Sequence, residues 1–462
     1  MIDPKTFLMI FSIKRYFYLL ILIILSCAIS CSSDLDEDVL LQEYSHSDSR
    51  DHVNDFNEED DDDEDNDDDE EDDDEDDDED DEEDDNDDER SKHPSLYFVK
   101  LDPNVSEDDV EDLLDDLNSE EIWYREEINL RLWNTTVFPY ADASGSQTTN
   151  IDGQIARART RARVSGATPN LGGVVNNPLS SQGIDCFAET IVLSHPGEAE
   201  IMISIFDTGI DDGLIPEFSG YDYVEDDEEP NDRNGHGSQV AALVYSLVNQ
   251  NGVSDNIKFD IRRTHDAQGL GYLSNVIPAI LDAVQAGADV LNFSFNYQDL
   301  NEDTADRPMR LAIDYAEQNG VLILASAGNT SGDNDRDTII SFPASYPNAN
   351  IISNAALNCG QLISDFSSYG SNTVDLALLG ENIPVIGLDG RDALQSGTSF
   401  STACITAMAA IMASQQENTD IADIKCALIN TSQYTTELKD LVSSQGIVDF
   451  QAALANLNNC SP

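Results

Sequence analysis

Three short segments, far apart in the chain, carry an acid, an imidazole and a hydroxyl, in that order. They are Ile205-Phe206-Asp207-Thr208-Gly209-Ile210, Asn234-Gly235-His236-Gly237-Ser238 and Ser396-Gly397-Thr398-Ser399-Phe400-Ser401. A serine hydroxyl is a poor nucleophile at neutral pH because it holds its proton tightly. An imidazole can take that proton during attack, and a carboxylate can fix the imidazole tautomer and stabilise the imidazolium. Asp207 closes a hydrophobic run, and the glycines around His236 let the backbone bend at a helix start. Gly397-Thr398-Ser399 sets the hydroxyl at a helix N-terminus, where the dipole favours developing negative charge. A fourth segment, Ala325-Ser326-Ala327-Gly328-Asn329, offers a side-chain amide at the exit of another hydrophobic run. Such an amide can donate to the oxyanion of a tetrahedral intermediate. Together these groups could carry out acyl transfer through a covalent intermediate.

Singly, each motif is weak. Asp-Thr-Gly also marks aspartic proteases, but a second copy is absent. A histidine between glycines is commonly a turn residue, and Gly-Thr-Ser recurs by chance. The weight lies in their order and in their placement at strand ends and helix heads.

The intervening sequence supplies elements to hold them. From residue 199 onward, short β-branched and aliphatic runs alternate with segments of helical periodicity. Strands are expected at 201–206, 257–261, 288–294, 321–325, 351–353 and 374–378. Helices are expected at 236–248, 273–286, 310–319, 398–414 and 421–430. Alternating buried strands and helices predict an α/β fold: a mostly parallel sheet covered on both faces, in three layers.

The stretch from about residue 199 to 458 resembles the subtilisin family (subtilases) of serine proteases. The resemblance rests on the four motifs and on Asn231-Asp232-Arg233-Asn234-Gly235-His236-Gly237, the 286–294 run and Asp365-Phe366-Ser367-Ser368-Tyr369-Gly370. It implies a serine endopeptidase with Asp207, His236 and Ser399 as triad, Asn329 as oxyanion donor, and no cofactor required for chemistry. It further implies that substrate backbone adds as a strand beside 292–296 and 270–273. The corresponding substrate-binding candidates are Leu270, Gly271, Asn292, Ser294, Phe295, Asn296, Ala327 and Gly328. Structural calcium is a further implication, with Asp211, Asp212, Asp222, Asp226 and Asp227 as candidates and no fixed ligand spacing among them. Departures from the family pattern are Ser238-Gln239 after His-Gly, Phe400-Ser401-Thr402-Ala403-Cys404 after the nucleophile, and Asn296 where glycine is usual. A side chain at Asn296 would narrow a subsite. The rival reading is a catalytically inactive homologue that binds peptides or serves as a surface scaffold.

Ahead of this region the chain changes character. Lys5, Lys14 and Arg15 precede an apolar run at 16–29, short for a membrane span. Ile29-Ser30-Cys31 resembles a bacterial lipobox, and 32–38 resembles the acidic export tag of surface lipoproteins. Cys31 is the preferred lipidation site over Cys27, with an ordinary signal peptide or signal anchor as the alternative. Residues 1–30 are thus expected to be a signal peptide of lipoprotein type, and 31–94 a disordered acidic linker. The linker is a tether, a weak calcium buffer or plain solvated low complexity. Residues 95–140 read strand–helix–strand, a small α+β unit resembling the inhibitory propeptide of the subtilases. Residues 141–198 are expected to connect and activate. Their Arg157, Arg159, Arg161 and Arg163 suit either an exposed maturation site or a solvated face docked on acidic surface. The peptidase domain is expected over 199–460.

The net charge of −70 over 462 residues bounds the partners. Between Asp34 and Glu89 stand 38 acidic residues against one base, a run that self-repels and cannot pack. Such a surface repels nucleic acid and suits polypeptide substrates, a monomer, and a secreted or outer-membrane lipoprotein of a bacterium. Beyond Cys27 and Cys31 there are five cysteines, an odd number, so at least one is unpaired. Cys426 with Cys460 is a plausible bridge and Cys404 a candidate free thiol. Without a CxxC pair, zinc has no support.

Overall fold

The computed structural model describes residues 92–135, 140–141, 147–148, 151–175, 197, 199–337 except 301–306, 339–387, 391–415 and 419–460. The expected signal segment, Cys27, Cys31 and almost all of the acidic linker lie outside the described residues.

A strand β1 (Lys92–Leu101) opens the described residues, followed by a helix α1 (Glu107–Leu117) and strands β2 (Ser119–Arg125) and β3 (Leu130–Thr135). A capping box stops α1 at its head: Ser106 accepts from the Asp109 N–H, and Asp109 accepts from the Ser106 N–H. The stretch expected to be a connector holds, besides a two-residue ladder of 140–141 with 147–148, a helix α2 (Ile151–Arg159) and a strand β4 (Val164–Val174). The small unit therefore runs to residue 174, not 140. Its arginines meet acidic surface: Arg161 pairs with Asp116 and Arg163 with Asp109, while the Arg159 Nε donates to the Ala167 carbonyl at 2.8 Å.

The large unit comprises, in chain order, β5 (Ile201–Asp207), β6 (Ser219–Asp222), α3 (His236–Gln250), β7 (Ile257–Arg263), β8 (Leu270–Tyr272), α4 (Leu273–Gln285) and β9 (Val290–Phe293). Then come α5 (Pro308–Gln318), β10 (Leu322–Ser326), β11 (Ile351–Leu357), β12 (Leu376–Leu379), α6 (Thr398–Ser414), α7 (Ile421–Thr431), β13 (Gln433–Tyr434), β14 (Gly446–Ile447) and α8 (Phe450–Asn456). Nine strands form one sheet in the order β13-β14-β12-β11-β10-β9-β5-β7-β6. Every pairing in it is parallel except β13 with β14.

Alternation along the strands divides the core. Leu322 and Leu324 of β10 face α3, α6, α7 and α8, whereas Ile323 and Ala325 face α4 and α5. Helix α6 is buried over its whole length, which explains its uniformly apolar or small-polar sequence. Cys426 and Cys460 are bridged, Cys359 is also disulfide-bonded, and Cys404 is a buried free thiol pushed up to about 12 by burial.

The second sheet is antiparallel, in the order β8-β4-β1-β3-β2. Tyr97, Val99 and Leu101 of β1 pack under α1 and α2, while Phe98, Leu130 and Leu132 face α4 and α5 of the large unit. Arg125 clamps the interface with a two-pronged hydrogen bond to Asp282, at 2.8 and 3.3 Å. One strand of this sheet, β8, belongs to the large unit. None of the described helices is long and apolar enough to cross a membrane.

Candidate active site

The central strand β5 delivers Asp207 at its C-terminal end, between β7 and β9. Crevices outside the carboxyl ends of parallel strands are where such sheets place their sites. Helix α3 begins at His236, and the two side chains meet in the interior. The His236 Nδ1 lies 2.7 Å from Asp207 Oδ1 and 2.9 Å from Oδ2, with both residues buried. Asp207 Oδ1 also accepts from the Thr208 N–H at 2.8 Å. The close approach depends on Gly237. A Cβ there would stand 2.4 Å from the Gly209 carbonyl oxygen and 3.1 Å from the Asp207 Cβ. Any side chain would push the helix head away from the acid.

Asp232 fixes the loop before His236. Its Oδ1 accepts from the N–H groups of Asn234 and Gly235, and its Oδ2 from that of Ser238, each at 2.8 Å. Burial raises this carboxyl, but the hydrogen bonds from Ser238, Gly235 and Asn234 outweigh it and hold it below the ordinary value. Ser238, at one departure from the family pattern, accepts the Asp211 N–H at 2.8 Å.

Ser399 is the second residue of α6. Its Oγ donates to the Ser294 carbonyl at 2.8 Å, and the His236 Nε2 is buried with no hydrogen-bond partner. The acid–imidazole half of the relay is therefore assembled, and the hydroxyl sits in a rotamer turned to the neighbouring strand end. Apo sites commonly tighten this last bond only when substrate is bound. Asn329 follows β10, and its Oδ1 accepts from both the N–H and the Oγ of Thr398, each at 2.9 Å. These two bonds fix the orientation of the Asn329 amide at the head of α6.

The candidate substrate-binding residues divide. Leu270 and Gly271 lie on β8, and that edge is taken by β4 of the small unit, with Leu270 opposite Val174 and Gly271 opposite Gly173. Asn296 faces the same strand, its carbonyl 2.7 Å from the Cβ position of Gly173. Asn292 does not line the cleft. Its Nδ2 donates to Ser294 Oγ at 2.9 Å and its Oδ1 accepts from Thr406 Oγ1 at 2.8 Å, fully buried. Phe295 packs on Phe293, and Ala327 is in a small core beneath β11 and β12. Gly328 takes a left-handed φ of 108° beside Ser341 and Ser368.

Sequence reasoning passed over His265. This residue is fully buried beside the acid, its N–H donating to the Asp207 carbonyl at 3.1 Å. Its ring packs at a tilt of 52° against Phe295 with centroids 4.7 Å apart, Nδ1 meets Thr264 Oγ1 at 3.0 Å, and Nε2 is unpartnered. Burial drives it down to about 4, with Asp207 opposing and His236 reinforcing the shift. The only signal in the sequence is a histidine placed two residues after strand β7.

The five acidic calcium candidates are not gathered into a metal-holding group, and among the described residues no cluster of three or more His, Cys, Asp or Glu is so arranged. Asp222 is instead paired with buried Arg263, Asp226 accepts from the Tyr221 hydroxyl, and Asp227 from the Glu229 N–H.

Residues 198–450 match the model of the subtilase family. The thermophilic serine proteinase of Bacillus sp. (strain AK1) is 32% identical over 226 residues, 47% of this chain and 53% of that protein. Thermitase of Thermoactinomyces vulgaris is 29% identical over 239 residues, 50% of this chain and 80% of that protein. The match thus spans about half the length of the first relative. A crystal structure of an epidermin leader peptide processing serine protease from Staphylococcus aureus aligns with 80% of this chain and 99% of its own, at a TM-score of 0.57. At 19% identity that likeness shows the fold.

Proposed function

This chain belongs to the subtilase family, and from that premise we propose that it is a serine endopeptidase acting through Asp207, His236 and Ser399. The observation that carries the reading is the buried Asp207–His236 pair, bonded at 2.7 Å at the strand-end crevice that also receives the head of α6. Attack by Ser399 Oγ on a peptide carbonyl passes the proton to His236 Nε2. Asp207 stabilises the resulting imidazolium, and Asn329 with the N-terminal end of α6 receives the oxyanion. His236 then returns the proton to the leaving amine, and water releases the acyl group by the same route in reverse.

The unit from β1 to β4 is the inhibitory segment in this reading. It covers α4 and α5, and it adds β4 to the edge that incoming polypeptide would use. The chain ahead of it acts as a lipid-anchored acidic tether, with Cys31 as the acylated residue, on the surface of a bacterium.

A fluorophosphonate probe tests the chemistry. Labelling at Ser399, abolished in Ser399→Ala, is the expected result. A well-folded chain that takes no label even with β4 unseated, as in Gly173→Ala, would instead be a peptide-binding scaffold. Partitioning of Cys31→Ala tests the tether: release from membranes is expected, and unchanged partitioning would refute lipidation at that position.

A further inference from the structure

Strand β4 is held on both sides. Along one edge it pairs with β8, and the Val175 N–H continues the ladder to the Gly269 carbonyl at 3.0 Å. Along the other it pairs with β1 as far as Leu171, and at Gly173 the segment of Asn296 and Tyr297 packs closely against it. Its C-terminal end runs toward the triad: a Cβ on Gly269 would meet Val175 Cγ2 at 2.7 Å and Asn234 Nδ2 at 3.5 Å, two residues before His236.

At the centre of this arrangement glycine faces glycine. Gly173 stands opposite Gly271. A Cβ on Gly173 would lie 2.7 Å from the Asn296 carbonyl oxygen and 3.3 Å from both its carbon and the Tyr297 Cβ. These are backbone atoms and a Cβ, with no flexible side-chain end to swing aside. Gly173 is not among the positive-φ glycines, so space alone demands the absence of a side chain there. Across the ladder the room is equally filled. The His265 ring occupies the Cβ position of Gly271, with three ring atoms at 2.5 to 2.7 Å. His265 in turn is wedged against Phe295 and fully buried, so it cannot retreat.

We propose that the subsite at the Gly173–Gly271 pair admits glycine alone. The substrates are then polypeptides with glycine in that register, two residues ahead of the one whose N–H meets Gly269. The Asn296 carbonyl and the Tyr297 Cβ are its specificity determinants, with the His265 ring fixing the facing strand at Gly271. This rests on the endopeptidase reading above and deepens it. A clash with fixed backbone is rejected more strongly than a misfit in a deformable apolar pocket, so discrimination begins at the first methyl group.

The test supplies the purified full chain with a peptide copying residues 167–180 and with its Gly173→Ala and Gly173→Leu versions. Competent enzyme is counted by fluorophosphonate labelling of Ser399. The glycine peptide should be cleaved with kcat/KM about tenfold or more above the alanine version, and the leucine version should be slower still. Similar rates for all three, or no cleavage of the glycine peptide while Ser399 labels, would overturn the subsite. Absence of labelling in folded protein, the Gly173→Ala chain included, would overturn the endopeptidase reading instead. Within the full chain, Gly173→Ala should unseat β4 and label Ser399 about tenfold faster than wild type. Gly166→Ala is the control, since its Cβ would meet nothing nearer than Lys100 Cβ at 3.9 Å. Equal labelling of the two variants would count against the proposal.

Discussion

Ser399 and Ser294 exchange hydrogen bonds: each Oγ donates to the backbone carbonyl of the other, at 2.8 Å and 3.0 Å. The pair ties the head of α6 to the end of β9, and it directs the Ser399 hydroxyl proton to a peptide carbonyl rather than to His236. A hydrogen bond from this hydroxyl to the unpartnered His236 Nε2 would require it to leave the Ser294 carbonyl, an exchange of bonds that differ by about 1 kcal/mol. Ser294 is itself held by Asn292, which reaches Thr406 in α6, so the partner in this exchange is rigid.

Ser399→Ala should eliminate peptide hydrolysis, a loss on the order of 10⁶ in kcat, while changing stability by about 1 kcal/mol. Ser294→Ala should behave oppositely. It strands the Ser399 carbonyl and the Asn292 amide, lowering unfolding free energy by about 1–3 kcal/mol with the nucleophile still present. Urea unfolding and active-site titration on the two variants check this; hydrolysis retained in Ser399→Ala would mean that the nucleophile is another residue.

Asn329→Ala should lower kcat with little change in KM, on the scale of about 10²–10³ known for the corresponding donor of subtilisin. Thr398 orients that amide through both its N–H and its Oγ, so Thr398→Val should cost about tenfold in kcat, and Thr398→Ser should restore it. Equal activity in the valine and serine variants would mean that the hydroxyl contributes nothing to orientation.

His265 links stability to acid. Its folded-state value of about 4 lies below the ordinary 6.5, so the folded protein binds fewer protons than the unfolded chain between those values. Stability contributed by the neutral ring is present above about 6.5 and is lost as pH falls through 4, in all about 3 kcal/mol. In a Ser399→Ala background, which prevents self-digestion, His265→Leu should flatten the fall in urea midpoint between neutrality and pH 4. Identical falls with and without His265 would contradict this.

Asp232→Ala should disorder the approach to His236, because three backbone N–H groups lose their acceptor together. The expected effect is a loss of about 1–3 kcal/mol in stability and a fall in kcat larger than any rise in KM. Asp232 is held below the ordinary carboxyl value, so its contribution is present above that value and fades as pH falls through the depressed one. Parallel urea and kinetic series over acidic pH would show the variant losing this dependence.

Much of the architecture was legible along the chain. Helix α4 announces itself because burial on one face imposes a period on apolar residues, and strands such as β5 and β10, like helix α6, because burial all round imposes continuous runs of apolar and small residues. The acid, imidazole, hydroxyl and amide could be named because strand ends and helix heads are where such groups become useful. The pairing of Cys426 with Cys460 and the free Cys404 agree with what spacing suggested. Strand β4 was not legible: Val-Ser-Gly-Ala-Thr-Pro-Asn-Leu-Gly-Gly-Val shows neither alternation nor β-branched enrichment, and its extended form comes from ladders with β1 and β8. The burial of His265 depends likewise on a glycine six residues later whose missing side chain leaves room for the ring. The local sequence determined which groups the protein carries and which elements present them, because periodicity and helix-end chemistry act over a few residues. The tertiary structure decided which edge β4 occupies, which carbonyl receives the Ser399 proton and which polar ring is sealed inside, because those depend on atoms brought together from distant parts of the chain.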